Sequence, residues 1–262
     1  MSRKEAMDPV FEEEQAHLSE TYAKLERIER EVREQLEADL AEALEDKENL
    51  FDEMALNFDA DIQLETLAEL EAMNRIIEGY NLSADINTEK LRRAQLLMMS
   101  PYFAKVRLKF AHADTPKDIY IGAAGMTDEK RRHFIVDWRS PVAEVYYNQE
   151  NGATSYEANG RTIEVDLELR RQFDIVRDRL NSYFDTTVAI EDSLLLRALK
   201  RHHSEKLQAI TATIQREQNS VVRHEDVPAL LVDGIAGSGK TSVMLQRIAF
   251  LFFLMRETLQ PN

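Results

Sequence analysis

The sequence predicts a multidomain α+β fold made of three parts. Residues 1–100 are expected to form an antiparallel helical hairpin or coiled coil, because neither glycine nor proline occurs between Val10 and Glu78. Residues 101–185 are expected to form a small β-rich module, because short β-branched and aromatic runs there alternate with turn signals. Residues 186–262 return to a helical pattern and then show a short apolar run, a glycine-rich loop and a helix. That order predicts the beginning of an incomplete α/β domain.

The charge of the chain is concentrated in the predicted hairpin. The formal net charge is −15 at pH 7, and residues 1–90 hold 26 Asp and Glu against 9 Lys and Arg. Because nonspecific nucleic-acid binding depends on clustered Lys and Arg, this chain is not expected to grip a phosphate backbone unaided.

There is no cysteine, which excludes disulfides and thiolate metal sites. The sequence shows no signal peptide and no apolar run of membrane-spanning length, so we expect a soluble cytoplasmic chain without a membrane partner.

Apolar residues seven positions apart predict a buried seam along the first helix. The spacing is held by Phe11, Leu18, Leu25 and Val32. Asp39 breaks the register and the apolar line resumes on Leu36, Leu40 and Leu44, so we expect the seam to shift there. A helix from about Asp8 into the fifties would be roughly 60 to 70 Å long, at about 1.5 Å per residue. Such a rod has to project from a chain of this size.

The projecting helix needs a partner, which the next helical stretch supplies. "DIQLETLAELEAMNRIIEGY" is followed by a predicted break at Gly79–Ser83 and a further helix from about Thr88 to Met99. The turn of the hairpin is expected between Asn49 and Asp61. It contains four acids: Asp52, Glu53, Asp59 and Asp61. Either they only keep a solvated tip soluble, or the tip enters a cavity of a larger partner, where carboxylates meet a divalent ion or a basic wall.

The predicted β-rich module and the helical stretch after it contain residues that invite functional interpretations. Asn159-Gly160 is a strong hairpin-turn signal. Trp138, the only tryptophan, is expected to be a packing anchor in a strand. His202 and His203 are expected on a solvated helix face, because a metal site would need further ligands at suitable spacing.

A phosphate-binding motif lies near the end of the sequence. "GIAGSGKT" satisfies the pattern G-x-x-x-x-G-K-[ST] with Gly234, Gly239, Lys240 and Thr241. Glycines let backbone N–H groups surround phosphate oxygens, Lys240 reaches the β- and γ-phosphates, and Thr241 ligates Mg²⁺. "ALLV" before the motif suits a buried parallel strand, and "SVMLQRIAFLFF" after it suits a helix packed on a sheet. The motif therefore predicts a nucleotide and Mg²⁺ as ligands, and it leaves the choice between ATP and GTP open.

The sequence around this motif resembles known families. The run from "TIQREQNSVV" through "GIAGSGKTSVMLQRIAFL" resembles the start of a superfamily 1, UvrD/Rep-like helicase motor, which has a RecA-like fold. Further blocks resemble the HelD family, ATPases that bind bacterial RNA polymerase and help clear it from stalled or nucleic-acid-bound states. These blocks are "YIGAAGMTDEK", "VDWRSPVAEVYY", "YEANGRTIEVDLELRRQFDI", "FDTTVAIEDSLL" and "ATIQREQN". The similarity runs from about Pro101 onward, whereas the hairpin matches in kind more than in residues.

The resemblance implies roles for individual residues. Gln218 would hold adenine, Arg247 would approach the nucleotide from the loop helix, and Lys240 and Thr241 would act on the transferred phosphoryl group and its magnesium. The phosphates and the magnesium would lie against Gly234, Gly237, Ser238, Gly239, Lys240, Thr241 and Ser242.

The resemblance also implies a partner for the hairpin, which would enter the secondary channel of core RNA polymerase while the motor stays outside. A superfamily 1 helicase or translocase of DNA repair stays open as an alternative, with the coiled coil serving dimerisation or another partner. A plain self-associating coiled coil with a vestigial loop is a third.

The acidic motif, the arginines and the second domain of such motors do not follow Asn262. We therefore expect an N-terminal portion of a longer protein whose nucleic-acid contacts lie in missing motor domains, and which alone binds nucleotide weakly or not at all and does not hydrolyse ATP.

Overall fold

A long helix begins where Asp8 caps it, and it dominates the N-terminal part of the computed structural model. The backbone N–H of Val10 donates to Asp8 Oδ1 at 3.0 Å. Helix α1 spans Pro9–Leu56 and, at 48 residues, is about 70 Å long. The structure describes residues 8–56, 63–111, 113–148, 151–185, 217–224, 227, 229–235 and 238–255.

Helix α2, Gln63–Met99, runs antiparallel to α1. At the base of the hairpin Leu25 packs with Ala94 and Leu97. Further out Ser83 Oγ donates to Asp39 at 3.0 Å, and Tyr80 Oη donates to Asp46 at 2.9 Å. Residues later in α1 contact residues earlier in α2, so the two helices run antiparallel.

The predicted break at Gly79–Ser83 is wrong, because α2 is continuous through it. An exposed glycine inside a helix costs only about 1 kcal/mol relative to alanine. The contacts of Tyr80 and Ser83 with α1 offset a cost of that size.

The predicted position of the turn needs correction at its start. Helix α1 continues to Leu56, so Asp52 and Glu53 belong to its last turns rather than to a loop. Asp59 and Asp61 lie outside the described residues, between the two helices.

The predicted seam of α1 is buried only in its first half. Leu18, Leu25 and Val32 are buried, but Leu18 packs against strand residues rather than against a partner helix. Leu40 and Leu44 are 63% and 55% exposed, so the expected resumption of the seam at these two residues is wrong. The seven-residue spacing therefore reports contact with the sheet as well as with α2, and a coiled coil stays a prediction.

The middle of the chain forms a seven-stranded mixed sheet. Its strands are β1 (Ala104–Phe110), β2 (Lys117–Gly122), β3 (Met126–Thr127), β4 (His133–Asp137), β5 (Gly152–Ala158), β6 (Arg161–Val176) and β7 (Arg179–Asp185). The order is β3-β4-β2-β1-β6-β5, with β7 also paired to β6. Only β2 and β4 pair in parallel among the described strands. The predicted Asn159-Gly160 turn is confirmed: both residues have positive φ, 53° and 70°, and they join β5 to β6.

The two faces of the sheet are covered by different elements. One face packs on a short 3₁₀ turn, Pro141–Ala143, and helix α3, Glu144–Asn148, which contribute Val145, Tyr146 and Tyr147 to the core. The other face receives the base of the hairpin through Leu18 and Leu25. The hairpin is thus attached to the sheet at its base.

A buried ionic network fixes α1 to the sheet. Glu14 is 1% exposed and accepts hydrogen bonds from Lys105 Nζ, from Arg171 Nη1 at 2.7 Å and from Tyr120 Oη at 3.2 Å. Two further carboxylates complete the network. Asp185 accepts two hydrogen bonds from Arg171, and Asp118 lies 3.4 Å from Lys105 Nζ. We call these six residues the Glu14 network.

Burial and neighbouring charges shift the pKa values of Asp118, Tyr120 and the adjacent His17. Burial opposes ionisation of Asp118, but the hydrogen bond from Arg107 and the charge of Lys105 hold the pKa of Asp118 below its ordinary value. Burial, with the nearby Glu14 charge, raises the pKa of Tyr120, so its hydroxyl stays a donor. His17 stacks on Tyr120 with ring centroids 3.8 Å apart, and its burial lowers its pKa.

The C-terminal part contributes two described helices. The described part of helix α4 is residues 217–222, and helix α5 is Lys240–Leu254. The predicted buried strand at "ALLV" is wrong: residues 229–235 have no strand, and Leu231 is 92% exposed. A strand exists only through pairing, and no strand of the described part lies beside this segment.

Trp138 lies in the turn after β4 rather than in a strand. It packs both on the sheet core and on a small cluster of α4 and α5, so its interpretation as a packing anchor is confirmed. His202 and His203 lie outside the described residues. None of the helices described is long and apolar enough to cross a membrane.

Substitution of Gly122 tests the close approach of β2 to the hairpin base. A Cβ there would lie 2.6 Å from Pro101 O, 2.8 Å from Ile135 Cγ2 and 3.2 Å from Leu97 Cδ2. We expect Gly122→Ala to lower the free energy of unfolding by about 1 to 3 kcal/mol in urea titrations, because backbone cannot yield to the methyl group. As the control, Gly79→Ala meets nothing within 4 Å and should stabilise by roughly 0.5 to 1 kcal/mol. Equal stability of Gly122→Ala and wild type would contradict the packing described.

Glu14→Gln tests the Glu14 network. Removing this buried carboxylate charge leaves Lys105 and Arg171 under-compensated, and we expect a loss of about 3 to 5 kcal/mol in the free energy of unfolding. Glu26→Gln makes the same chemical change at an exposed position of α1 and should change stability by less than about 0.5 kcal/mol. Similar losses in the two variants would show that the Glu14 network does not hold the helix.

Candidate phosphate-binding loop

The structure describes most of the predicted nucleotide site. Gly237 lies outside the described residues, and the other predicted residues lie on two elements. Gln218 is on α4, and the loop leads into the first turn of α5, which carries Lys240, Thr241 and Ser242.

Glycine is required where the loop joins the helix. Gly239 caps α5 in the left-handed conformation, with φ 82° and ψ 14°. A Cβ at Gly239 would also lie 3.1 Å from Gln218 Nε2, and one at Gly234 would lie 2.9 Å from Ser238 Oγ. The two invariant glycines of the motif pattern therefore occupy positions where a side chain would fill the loop.

Polar side chains from both elements close the loop on itself. Lys240 Nζ donates to the carbonyl oxygens of Gly234 and Ile235, each at 2.7 Å. Gln218 Nε2 donates to Ser238 O at 3.1 Å. The lysine ammonium is thus held beside the loop backbone, and the glutamine ties α4 to the loop.

The start of α5 suits an anion. No acidic residue lies in its first turn, and the side chains of Thr241 and Ser242 are exposed. The first N–H groups of a helix and its dipole together favour phosphate. A cradle that a Cβ would fill, a lysine at its edge and a helix N-terminus fit the phosphates of a nucleotide.

The expected Mg²⁺ contact stays a prediction. Within the described ranges, no group of three or more His, Asp or Glu side chains is arranged to hold a metal ion. Thr241 is the residue whose position fits the predicted magnesium contact, because it follows the lysine at the start of α5.

Arg247 has a structural role in this arrangement. It is buried, and its Nη1 donates to Val221 O at 2.8 Å and to His224 O. These carbonyls lie at the C-terminal end of α4, where cations are favourable. Arg247 thus links α5 to α4, and its approach to a nucleotide stays a prediction.

Sequence reasoning missed the residues that attach the loop helices to the sheet. Arg223 Nη2 donates to Trp138 O at 2.7 Å, and its Cζ lies 5.4 Å from the Tyr147 ring centroid and 5.1 Å from that of Phe250. Arg139 Cζ lies 4.7 Å from the Phe253 ring centroid. The signal for these contacts was the block "VDWRSPVAEVYY", which contains Trp138, Arg139 and Tyr147.

The loop and the hairpin acids occupy different regions of the molecule. The loop helices pack on Trp138, at the end of β4, whereas Asp52 and Glu53 lie in the last turns of α1, beyond the hairpin base that packs on the sheet. The structure therefore brings Gln218 and Lys240 to one loop. The hairpin acids Asp52 and Glu53 are not part of that site.

A protein-family model matches most of the chain. The family model described as "DNA helicase IV HelD, N-terminal domain" matches residues 11–205. A search of curated proteins found no match to the chain. The matched residues include the hairpin and the whole sheet and make up most of the sequence. The chain therefore belongs to the HelD N-terminal domain family.

Proposed function

We propose that this chain serves an ATP-dependent motor that binds bacterial RNA polymerase, inserts its acidic hairpin into the secondary channel and helps dissociate or recycle stalled polymerase. The observation that carries the proposal is the hairpin itself. It is an antiparallel pair with α1 about 70 Å long, attached to the sheet only at its base among the described residues.

The surface of the hairpin supports a protein partner. Residues 1–90 have a net charge far below zero, which disfavours a nucleic-acid backbone and favours a basic wall. Apolar side chains also stand exposed along the outer part of both helices, namely Leu40, Leu44, Ile77, Leu82 and Ile86. Acids mixed with exposed apolar residues are typical of a surface that becomes buried against protein.

Nucleotide binding is proposed for the loop at the start of α5. Lys240, Thr241 and the backbone of the loop would hold the phosphates and magnesium, and Gln218 would hold adenine. The bound nucleotide supplies the free energy of phosphoryl transfer. This part of the proposal is supported by the left-handed Gly239, the Lys240 ammonium at the loop and the N-terminus of α5.

A second candidate function is favoured by the description of the matched family, which names a DNA helicase. In that case the motor acts on DNA in repair, and the hairpin serves dimerisation or another partner. The acidic surface of the hairpin argues for the first candidate.

Binding to core RNA polymerase separates the two candidates. We expect immobilised polymerase to retain the chain, and the combined change Asp52→Asn, Glu53→Gln, Asp59→Asn, Asp61→Asn to weaken the affinity by about tenfold or more in biolayer interferometry, because these acids meet a basic channel. The matched control is Glu26→Gln, Glu31→Gln, Glu34→Gln, Glu37→Gln, which removes four exposed charges nearer the base of α1. It should change the affinity by less than about threefold.

Two outcomes would contradict the first candidate. Equal weakening by both sets of substitutions would indicate nonspecific charge attraction rather than insertion of the tip. Absence of polymerase binding together with tight binding of single-stranded DNA at physiological salt would favour the repair motor.

Lys240→Ala tests the nucleotide site. We expect wild-type chain to bind MgATP weakly, with a dissociation constant in the roughly millimolar range, because Lys240 must first leave two carbonyl oxygens. Binding followed by the anisotropy of a fluorescent ATP analogue should disappear in Lys240→Ala. Lys109→Ala, at an exposed position of β1, should bind like wild type. Unchanged binding by Lys240→Ala would exclude this loop as the site.

A further inference from the structure

The contacts of Arg223 form a joint between the loop helices and the sheet. Its guanidinium donates to Trp138 O and lies near the rings of Tyr147 and Phe250. Trp138 and Tyr147 belong to the sheet side, and Phe250 belongs to α5. We call these four residues the arginine joint.

The arginine joint lies at the end of the helix that carries Gln218. Arg223 directly follows α4, and its backbone N–H donates to Asn219 O at 3.0 Å, continuing the helical turn. Gln218, in the same helix, donates to Ser238 O in the loop. The described part of α4 therefore touches the phosphate-binding loop with one side chain and the sheet side with another.

A second contact keeps α4 and α5 together. Arg247 joins the two helices through the carbonyls of Val221 and His224, and Val222, Val243 and Phe250 are buried between them. A displacement of α4 is therefore expected to move α5 and to strain the arginine joint. Trp138 is partly buried and packs against both the sheet core and these helices, so its surroundings are expected to respond to such strain.

We infer that Arg223 is a positioning residue that couples occupancy of the phosphate-binding loop to the sheet through Trp138. The inference rests on the proposed nucleotide site. A nucleotide that takes the Gln218 amide away from Ser238 O removes one of the bonds that hold α4 to the loop. Arg223, directly after α4, stays bonded to Trp138 O. A shift of α4 is therefore expected to move the turn after β4.

This coupling differs from a role in packing alone. A side chain that only fills space would give the same Trp138 environment with and without nucleotide. A positioning residue makes that environment depend on the nucleotide, and by linkage it makes nucleotide affinity depend on the joint.

Trp138 fluorescence tests the inference directly, because the chain has a single tryptophan. The emission of the full chain, excited at the red edge where adenine does not absorb, is recorded during titration with MgATP. Binding is followed independently by the anisotropy of a fluorescent ATP analogue. The variants are Arg223→Ala, Arg223→Lys and the control Arg161→Ala, at an exposed position of β6.

We expect MgATP to change the Trp138 emission of wild type and of Arg161→Ala. In Arg223→Ala the emission should no longer respond, while the analogue still binds, about five- to tenfold more weakly. Arg223→Lys keeps the positive charge and an ammonium that can donate hydrogen bonds, so it should fold like wild type and recover part of the response. These three results together support the coupling.

Three outcomes would overturn the inference. Arg223→Ala could respond to MgATP like wild type, which would leave Arg223 with packing alone. Wild type could bind the analogue without any change in Trp138 emission, which would show that the loop is occupied without reaching the sheet. Failure of wild type to bind the analogue would remove the proposed nucleotide site, and the inference with it.

Discussion

The Glu14 network is the interaction on which the arrangement of the molecule depends. Taking Glu14, Lys105 and Arg171 out of water costs several kcal/mol per ion, and this cost is offset only because each charge has a partner at hydrogen-bond distance. The six residues of the network come from α1 and from four strands, β1, β2, β6 and β7. The network is satisfied in one placement of α1 on the sheet, so it specifies that placement in a way that Leu18 and Leu25, which tolerate sliding, do not.

The attachment of α1 to the sheet shows why the sequence predicted only part of the fold. Absence of glycine and proline, together with the spacing of Leu18, Leu25 and Val32, predicted a long buried-seam helix, and those residues are buried. Periodicity does not reveal what covers an apolar face, which is why contact of Leu18 with the sheet was not foreseen. Nor did it predict that Leu40 and Leu44 stay exposed, because their burial depends on the position of the second helix.

The wrong predictions have tertiary causes. Gly79 and the polar residues around it are local breaking signals, and contacts of Tyr80 and Ser83 with α1 override them. The apolar run "ALLV" has the composition of a strand, but a strand needs a neighbour that composition does not supply.

In the candidate site the motif identified Lys240 and the glycines, because their roles are local. Arg223 was missed, since its partners Trp138 and Tyr147 are distant in the sequence.

The contacts at the hairpin base and those at the arginine joint differ in strength. At the hairpin base, buried charges hold α1 with bonds that exclude water, so the hairpin is expected to move with the sheet as one body. At the arginine joint the contacts are cation–π pairs and single hydrogen bonds to backbone, which are individually worth about 1 kcal/mol and are more easily rearranged. Because the hairpin base is held by buried charges and the arginine joint by weaker contacts, the loop helices are expected to rearrange without release of the hairpin. The sheet is in contact with both the hairpin base and the loop helices, so under the proposed coupling it is the element that would connect them.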